Sequence, residues 1–393
     1  MTNNNENFET TLITASTRGD YEAKTGAVNM PIYVSSTFDQ EKFDSFGPYD
    51  YSRSGNPTRQ ALENTIAELE HGTRGFAFAS GIAAIASALL TLEAGDHIVI
   101  TSEVYGGTYR FVTKVLTKYN ITHTFADFTN LAEVEAAIQP NTKVLYAETP
   151  ANPLLGITDL KGIIAIAKKH NLLTFVDNTF MTPLYQKPLD LGADVVLHSA
   201  TKFLGGHSDI IAGLAVTKDE AIGDAIYFMQ NSMGAILGAQ DSFSLIQGIK
   251  TLNARLTLES ASAAKIADYL VANEHVTAVH YPGLSTHPGH DIHFDQATSA
   301  GAVLSFELPS KEFTKVFVEN VQIPIFAVSL GGVESILSYP VTMSHAAIPK
   351  EERDKRGITE GLLRLSVGLE NVDDLIADFA QAFEKAVEVT AVK

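Results

Sequence analysis

The sequence predicts an α/β fold, with a mostly parallel sheet in a large domain and a smaller α/β domain towards the C-terminal end. Three observations carry this. Strand-like runs alternate with helix-like ones between about residues 55 and 250, the pattern of a sheet wrapped by helices. Several of these runs are almost wholly apolar rather than alternating, as in strands buried on both faces. A chain of 393 residues is also long enough to form more than one domain.

An irregular arm, residues 1–54, comes first and contains the turn-rich stretch Phe46-Gly47-Pro48-Tyr49-Asp50. The large domain, 55–250, opens with a well-marked helix. Asn56 can cap it, Pro57 suits its first position, Leu62, Ile66 and Leu69 form its apolar stripe, and Gly72 ends it. Strands are expected at His97 to Thr101, Val144 to Ala147, Leu173 to Val176, Val195 to Leu197 and Ile211 to Val216. The C-terminal domain, 251–393, should hold a long helix through Leu256, Ala263, Ile266 and Leu270 and a strand at Ala302 to Glu307. A last helix should carry Leu375, Phe379 and Phe383 on one face, with Asp373 and Asp374 in its first turn.

Chemistry concentrates where these strands end. The run Val195-Val196-Leu197 leads into Ser199-Ala200-Thr201-Lys202, so the Lys202 amine emerges from the end of a buried strand. Burial disfavours the ammonium form, and a neutral amine there can capture an aldehyde such as that of pyridoxal 5'-phosphate. Asp177 ends the run Leu172-Leu173-Thr174-Phe175-Val176, where a carboxylate can keep a pyridine nitrogen protonated. A strand-end aspartate capping the next turn is about as common, and Lys202 one strand later favours the functional reading. Ser80 and Gly81 precede a small-residue helix whose N-terminal amides can face an anion. Tyr51 and Arg53, in the turn before the capped helix, are free for an anion as well.

The 28 Lys and Arg against 46 Asp and Glu give a net charge of −18, which opposes binding to nucleic acid or to anionic membrane surfaces. With no cysteine, disulfides and thiolate metal sites are excluded. The polar first residues and the lack of a long apolar stretch lead us to expect a cytoplasmic protein. His280, His287, His290 and His293 crowd one segment, but Pro and Gly interrupt the helix that would align them, so a polar loop is expected and no metal. A nicotinamide-dependent oxidoreductase would share the α/β alternation, yet no Gly-x-Gly-x-x-Gly run follows the early strands.

The motifs together resemble the Cys/Met-metabolism family of pyridoxal-phosphate enzymes, which includes cystathionine lyases, cystathionine γ-synthase and methionine γ-lyase. The matching runs are Tyr51-Ser-Arg-Ser-Gly-Asn-Pro-Thr58, Ala79-Ser-Gly81, Tyr105-Gly-Gly-Thr108, Glu148-Thr-Pro-Ala-Asn-Pro153, Val176-Asp-Asn-Thr-Phe180, Ser199-Ala-Thr-Lys202 with Gly206-His-Ser-Asp209, Ser329-Leu-Gly-Gly332 and Leu363-Arg-Leu-Ser-Val-Gly-Leu-Glu370. They span essentially the whole chain. The resemblance implies the aspartate-aminotransferase-like fold, fold type I of these enzymes.

It also implies roles. Lys202 resembles the lysine that binds the cofactor aldehyde and then moves protons, and Asp177 the partner of the ring nitrogen. Tyr105 resembles the tyrosine that stacks on the ring. Gly81, Ile82, Ser199 and Thr201 would hold the phosphate, joined by Tyr51 and Arg53 from a neighbouring subunit. That sharing implies an obligate oligomer, a homotetramer built as a dimer of catalytic dimers. Arg364 resembles the arginine gripping the substrate α-carboxylate, helped by Asn152 and Ser329, while Asp50 and Arg110 are candidates for the distal end of a sulfur amino acid. Gly107 departs from the cysteine of methionine γ-lyases, and Val328 from the glutamate of animal and fungal cystathionine γ-lyases. The expected activity is that of a bacterial-type cystathionine γ-lyase, releasing cysteine, 2-oxobutanoate and ammonia with some β-elimination on cystathionine or cystine. Cystathionine β-lyase is the alternative, and γ-synthase comes third.

Overall fold

A computed structural model describes residues 6–17, 26–346 and 349–391. Twelve strands are present among them: β1 Arg74–Phe78, β2 His97–Thr101, β3 Thr122–Ala126, β4 Thr142–Glu148, β5 Leu173–Asp177, β6 Val195–His198, β7 Gly213–Thr217, β8 Ala278–His280, β9 Val303–Glu307, β10 Ile325–Phe326, β11 Ile336–Ser338 and β12 Leu362–Ser366. They form a seven-stranded sheet in the order β1-β7-β6-β5-β4-β2-β3 and a five-stranded sheet in the order β10-β11-β12-β9-β8.

In the larger sheet β3, β2, β4, β5 and β6 run parallel, and β7 is antiparallel to both β6 and β1. Two reversals restore the direction, so β1 points the same way as β6. The C-terminal ends of β1, β4, β5 and β6 therefore share one edge, where ligands bind in open α/β sheets. All five strands expected in this region are present; β4, β5 and β6 are slightly longer than their apolar runs, and β7 starts at Gly213 rather than Ile211. The sequence reading missed β1 and β3. The run Thr122-His-Thr-Phe-Ala is polar because β3 is an edge strand with only its last residue buried.

The arm is not wholly irregular, since α1, Phe8–Thr14, is helical and is held at its first residue by Lys187 Nζ, 4.2 Å from the Phe8 ring centre. Helix α2, Pro57–Leu69, follows its sequence signals closely. Pro57 opens it, the Asn56 side chain accepts the N–H groups of Thr58 and Arg59, and Leu62, Ile66 and Leu69 are buried. Each such burial contributes about 1.5–3 kcal/mol. Asn56 also donates to the Tyr33 carbonyl at 2.7 Å, so the cap ties the arm to the body.

The five-stranded sheet packs against the long helix Leu252–Ala272 and the last helix Val372–Ala391, with Leu375, Phe379 and Phe383 buried as expected. The histidine segment, expected as a loop, closes with a short helix, His290–Gln296. Its histidines take separate partners. His280 faces Glu307 at 3.1 Å, His290 the Pro282 carbonyl and His293 the Ser299 carbonyl, while His287 accepts from Gly289 N–H. No group of three metal-ligating side chains occurs among the described residues. No helix there is long and apolar enough to cross a membrane.

Because Asn56 serves both the helix end and the arm, Asn56→Ala is expected to destabilise the protein by about 1–2 kcal/mol. The shift of the denaturant midpoint measures this, and an unchanged midpoint would show that the cap contributes nothing.

Candidate active site

A cleft of about 570 Å³ opens at the shared strand edge. One wall comes from the ends of β4, β5 and β6, the floor from the helix after β1, and the other wall from the five-stranded sheet. Of the residues singled out in the sequence, Gly81, Ile82, Tyr105, Arg110, Asn152, Asp177, Ser199, Thr201, Lys202, Val328, Ser329 and Arg364 all line it. Asp50, Tyr51 and Arg53 do not. They are exposed, and Arg53 is held by the Asn231 carbonyl at 2.8 Å and lies over the Tyr51 ring.

Lys202 follows β6 and donates from Nζ to Ser329 Oγ at 2.7 Å. Burial, helped by the positive charge of Arg364, lowers its pKa to about 8, so a useful fraction of neutral amine exists near neutral pH. Asp177 ends β5. Its Oδ1 accepts both the N–H and the hydroxyl of Thr179, at 3.0 and 2.5 Å, and the Thr179 hydroxyl oxygen accepts Ser199 N–H at 2.8 Å. This chain fixes the β5 and β6 ends to each other. Burial raises the Asp177 pKa, while the Thr179 bonds and the nearby His198 pull it back down.

Helix α3, Gly81–Leu89, begins at the cleft floor with its N-cap Ser80 accepting Ala83 N–H at 3.1 Å. Helix geometry leaves the Gly81 and Ile82 N–H groups without intrahelical acceptors, and they point at the cleft with the helix dipole behind them. A Cβ at Gly81 would sit 2.7 Å from Ser199 Cβ, so glycine alone lets these two walls of an anion cradle approach. The Thr201 hydroxyl is braced between the Ala212 carbonyl and N–H.

Tyr105 precedes α4, Gly106–Lys114, and is 47% exposed, its ring lying along Gly107, where any Cβ would run into it. Arg364, on β12, is only 3% exposed. Nη1 donates to Asn152 Oδ1 at 2.8 Å, and Nη2 to the Ser329 carbonyl at 2.6 Å and to Ser338 Oγ at 3.2 Å. All three acceptors are neutral, and Nε has no partner among the described residues. A structural ion pair, the ordinary explanation for such an arginine, is thus missing there. Burial lowers its pKa to about 10, so it remains cationic and available to an anion. Val328 is 63% exposed at the rim.

Two further polar side chains belong to the cleft. Glu148, buried at the end of β4, accepts Tyr105 N–H at 2.9 Å. Ser344 lies against Gly106, where a Cβ would meet its carbonyl oxygen, and its hydroxyl contacts His345 Nδ1 at 2.8 Å. Glu148 opens the motif Glu148-Thr-Pro-Ala-Asn-Pro153, in which only Asn152 has an expected role. Its signal was the same as that of Asp177, a carboxylate ending an apolar run.

With its pKa near 8, Lys202 is expected to react with an aldehyde at a rate that rises with pH and levels off above about pH 9. Borohydride trapping of the apoprotein, with the modified peptide identified by mass, measures it. A rate still rising about tenfold per pH unit between pH 8 and 10 would show an ordinary surface amine, whose pKa is about 10.4, instead.

Comparison with known proteins identifies the family. The family model described as Cys/Met metabolism PLP-dependent enzyme matches residues 9–384. The chain is 58% identical to a cystathionine beta-lyase of Bacillus subtilis over 99% of this chain and 100% of that protein. It is 50% identical to a cystathionine gamma-lyase of the same organism, over 96% of this chain and 99% of that one. The solved structure of cystathionine gamma-lyase from Lactobacillus plantarum, complexed with L-serine, superposes with a TM-score of 0.94 at 48% identity, covering 97% of this chain and 99% of that chain. The fold is therefore fold type I, and the chain belongs to the Cys/Met-metabolism family of PLP-dependent enzymes.

Proposed function

We propose that this PLP-dependent carbon–sulfur lyase acts on cystathionine, and that cleavage of the Cβ–S bond, giving homocysteine, pyruvate and ammonia, is its main reaction. The observation supporting an amino-acid substrate is Arg364, a buried guanidinium with only neutral partners, set across one cleft from Lys202. The preference for Cβ rests on similarity, 58% to the Bacillus subtilis β-lyase against 50% to the γ-lyase of that organism. Cγ–S cleavage, expected from the sequence motifs, becomes the second reading, favoured by the Lactobacillus plantarum structure.

The residues present fit pyridoxal phosphate, since the Gly81 cradle accepts a phosphate and Asp177 lies deep on the same side as Lys202. When bound, the cofactor supplies an aldehyde for the substrate amine and a cationic ring that takes up the electron pair left at Cα. In this reading Gly81, Ile82, Ser199 and Thr201 hold the phosphate and Asp177 keeps the ring nitrogen protonated. Arg364, with Asn152 and Ser329, clamps the α-carboxylate and orients the Cα–H bond. The Lys202 amine then takes the Cα proton. Tyr105 would cover the ring face and could give a proton to the departing sulfur. For Cγ–S cleavage the same lysine must take a second proton, at Cβ. Arg110 at the rim suits the distal carboxylate of cystathionine, whereas Val328 offers its distal ammonium no charge.

Asp50, Tyr51 and Arg53 stand apart from this cleft, and we assign them to a neighbouring subunit's site in a homotetramer. The arm around them exposes Val34, Phe43 and Phe46, apolar surface that a partner would cover. The division into an arm (1–54), a large domain (55–250) and a C-terminal domain (251–393) and the cytoplasmic location belong to the same proposal.

Purified enzyme given cystathionine is expected to release mainly pyruvate. Predominant 2-oxobutanoate would establish the second reading, and a requirement for an acylated homoserine plus cysteine would establish a synthase. Arg110→Ala should raise KM for cystathionine about tenfold with a smaller change in kcat, the loss of a charge-assisted contact. An unchanged KM would remove Arg110 from the distal site.

A further inference from the structure

Glu148 lines the cleft and has no part in the reaction proposed above. It stands in register with Asp177 on the next strand, so two carboxyl groups share the buried strand edge. The N–H of Tyr105 donates to Glu148 Oε2 at 2.9 Å, and the Asn152 N–H also points at the carboxyl group. Tyr105 carries the exposed ring at the start of α4, and Asn152 accepts from Arg364. We propose that Glu148 is a positioning residue whose carboxyl group accepts from the Tyr105 and Asn152 backbones, and so fixes the aromatic wall and the cation-bearing wall of the cleft relative to each other.

The role is carried by the neutral acid. The charged and titratable groups facing Glu148 are Asp177 on β5, Glu103 after β2, Tyr146 on β4 and Arg364 on β12. Burial and the charges of Asp177 and Glu103 push the Glu148 pKa well up, and the two backbone N–H groups offset this only partly. Asp177 receives two bonds from Thr179, which favour its ionised form over that of Glu148. A protonated carboxyl group still accepts N–H bonds through its carbonyl oxygen. It also leaves Arg364 uncompensated, whereas an ionised Glu148 would compete with the substrate carboxylate for that cation.

The inference rests on the assignment of Tyr105 and Arg364 made above, and the experiment separates the two. Holoenzymes of the wild type, Glu148→Gln, Glu148→Ala, Tyr105→Phe and Arg364→Ala are compared by the visible circular dichroism of the bound cofactor, by thermal melting, and by KM and kcat for cystathionine. Glu148→Ala is expected to raise KM about tenfold and to weaken the visible dichroism about twofold, because both walls lose their common anchor. Glu148→Gln keeps the carbonyl acceptor and the neutral state, so it should recover both quantities to within about threefold of wild type. Its pH profile of kcat/KM should overlay the wild-type profile.

Unchanged dichroism and KM in Glu148→Ala, with KM raised in Arg364→Ala, would overturn the positioning role alone. If Glu148→Ala does not fold, the Glu148→Gln pH profile decides: a displaced profile overturns the neutral anchor, and an overlay supports it. If Arg364→Ala leaves KM unchanged and Tyr105→Phe behaves as wild type, the underlying site assignment falls together with the inference.

Discussion

The cleft depends on the parallel register of β4, β5 and β6. Glu148 pairs with Asp177, and Asp177 with Leu197, so the three chains leave the sheet side by side with their reactive residues at one level. A slip of one residue would turn every side chain to the opposite face, sending Asp177 out of the cleft and an apolar neighbour into it. The near-continuous apolar runs could tolerate such a slip on hydrophobic grounds alone, since both faces of these strands are buried. What fixes the register is polar. The links from Asp177 through Thr179 to Ser199 N–H, and the bond from Asn178 N–H to the Leu197 carbonyl, tie neighbouring strand ends at a single setting.

The second sheet contributes the cation Arg364. Ser329 joins the two cations, its hydroxyl accepting from Lys202 and its carbonyl from Arg364. Its φ of +88° is costly for a residue with a side chain, on the order of 1–3 kcal/mol, and such strain persists only where the surroundings enforce it. Here the two hydrogen bonds do so. Arg364 in turn helps to depress the Lys202 pKa, so a residue that binds anions also keeps the neighbouring amine reactive. Anion recognition and amine reactivity are electrostatically linked in one cleft with buried walls, where charges act on each other more strongly than in bulk solvent.

Much of this was legible in the residues themselves. The cap at Asn56, the stripe of α2, five strands of the main sheet and the strand-end positions of Asp177 and Lys202 all follow from patterns spanning fewer than about twenty residues, set by side-chain period and capping chemistry. Arg364 stood out because an arginine in an apolar run needs an anion. What escaped the sequence reading was of another kind. Strand β3 is polar at the sheet edge, and β10 and β11 are only two and three residues long, so none carries a strong period. Glu148 was visible as a strand-end carboxylate, yet nothing local shows that it meets Tyr105, 43 residues away.

By itself the sequence determined the inventory of the site and the elements that carry it, because an apolar run ending in a carboxylate or an amine leads to a buried strand end whatever lies around it. Tertiary structure decided which of those groups meet. Lys202 finds Ser329 across 127 positions and Arg364 finds Asn152 across 212, contacts that depend on strand order and on how two sheets face each other. The same applies to Asp50, Tyr51 and Arg53, which share the motifs of the cleft residues but lie outside it. Their chemistry is local, but their location depends on the path of the arm over the surface, held at Asn56 and at Arg53 by long-range bonds that no periodicity records.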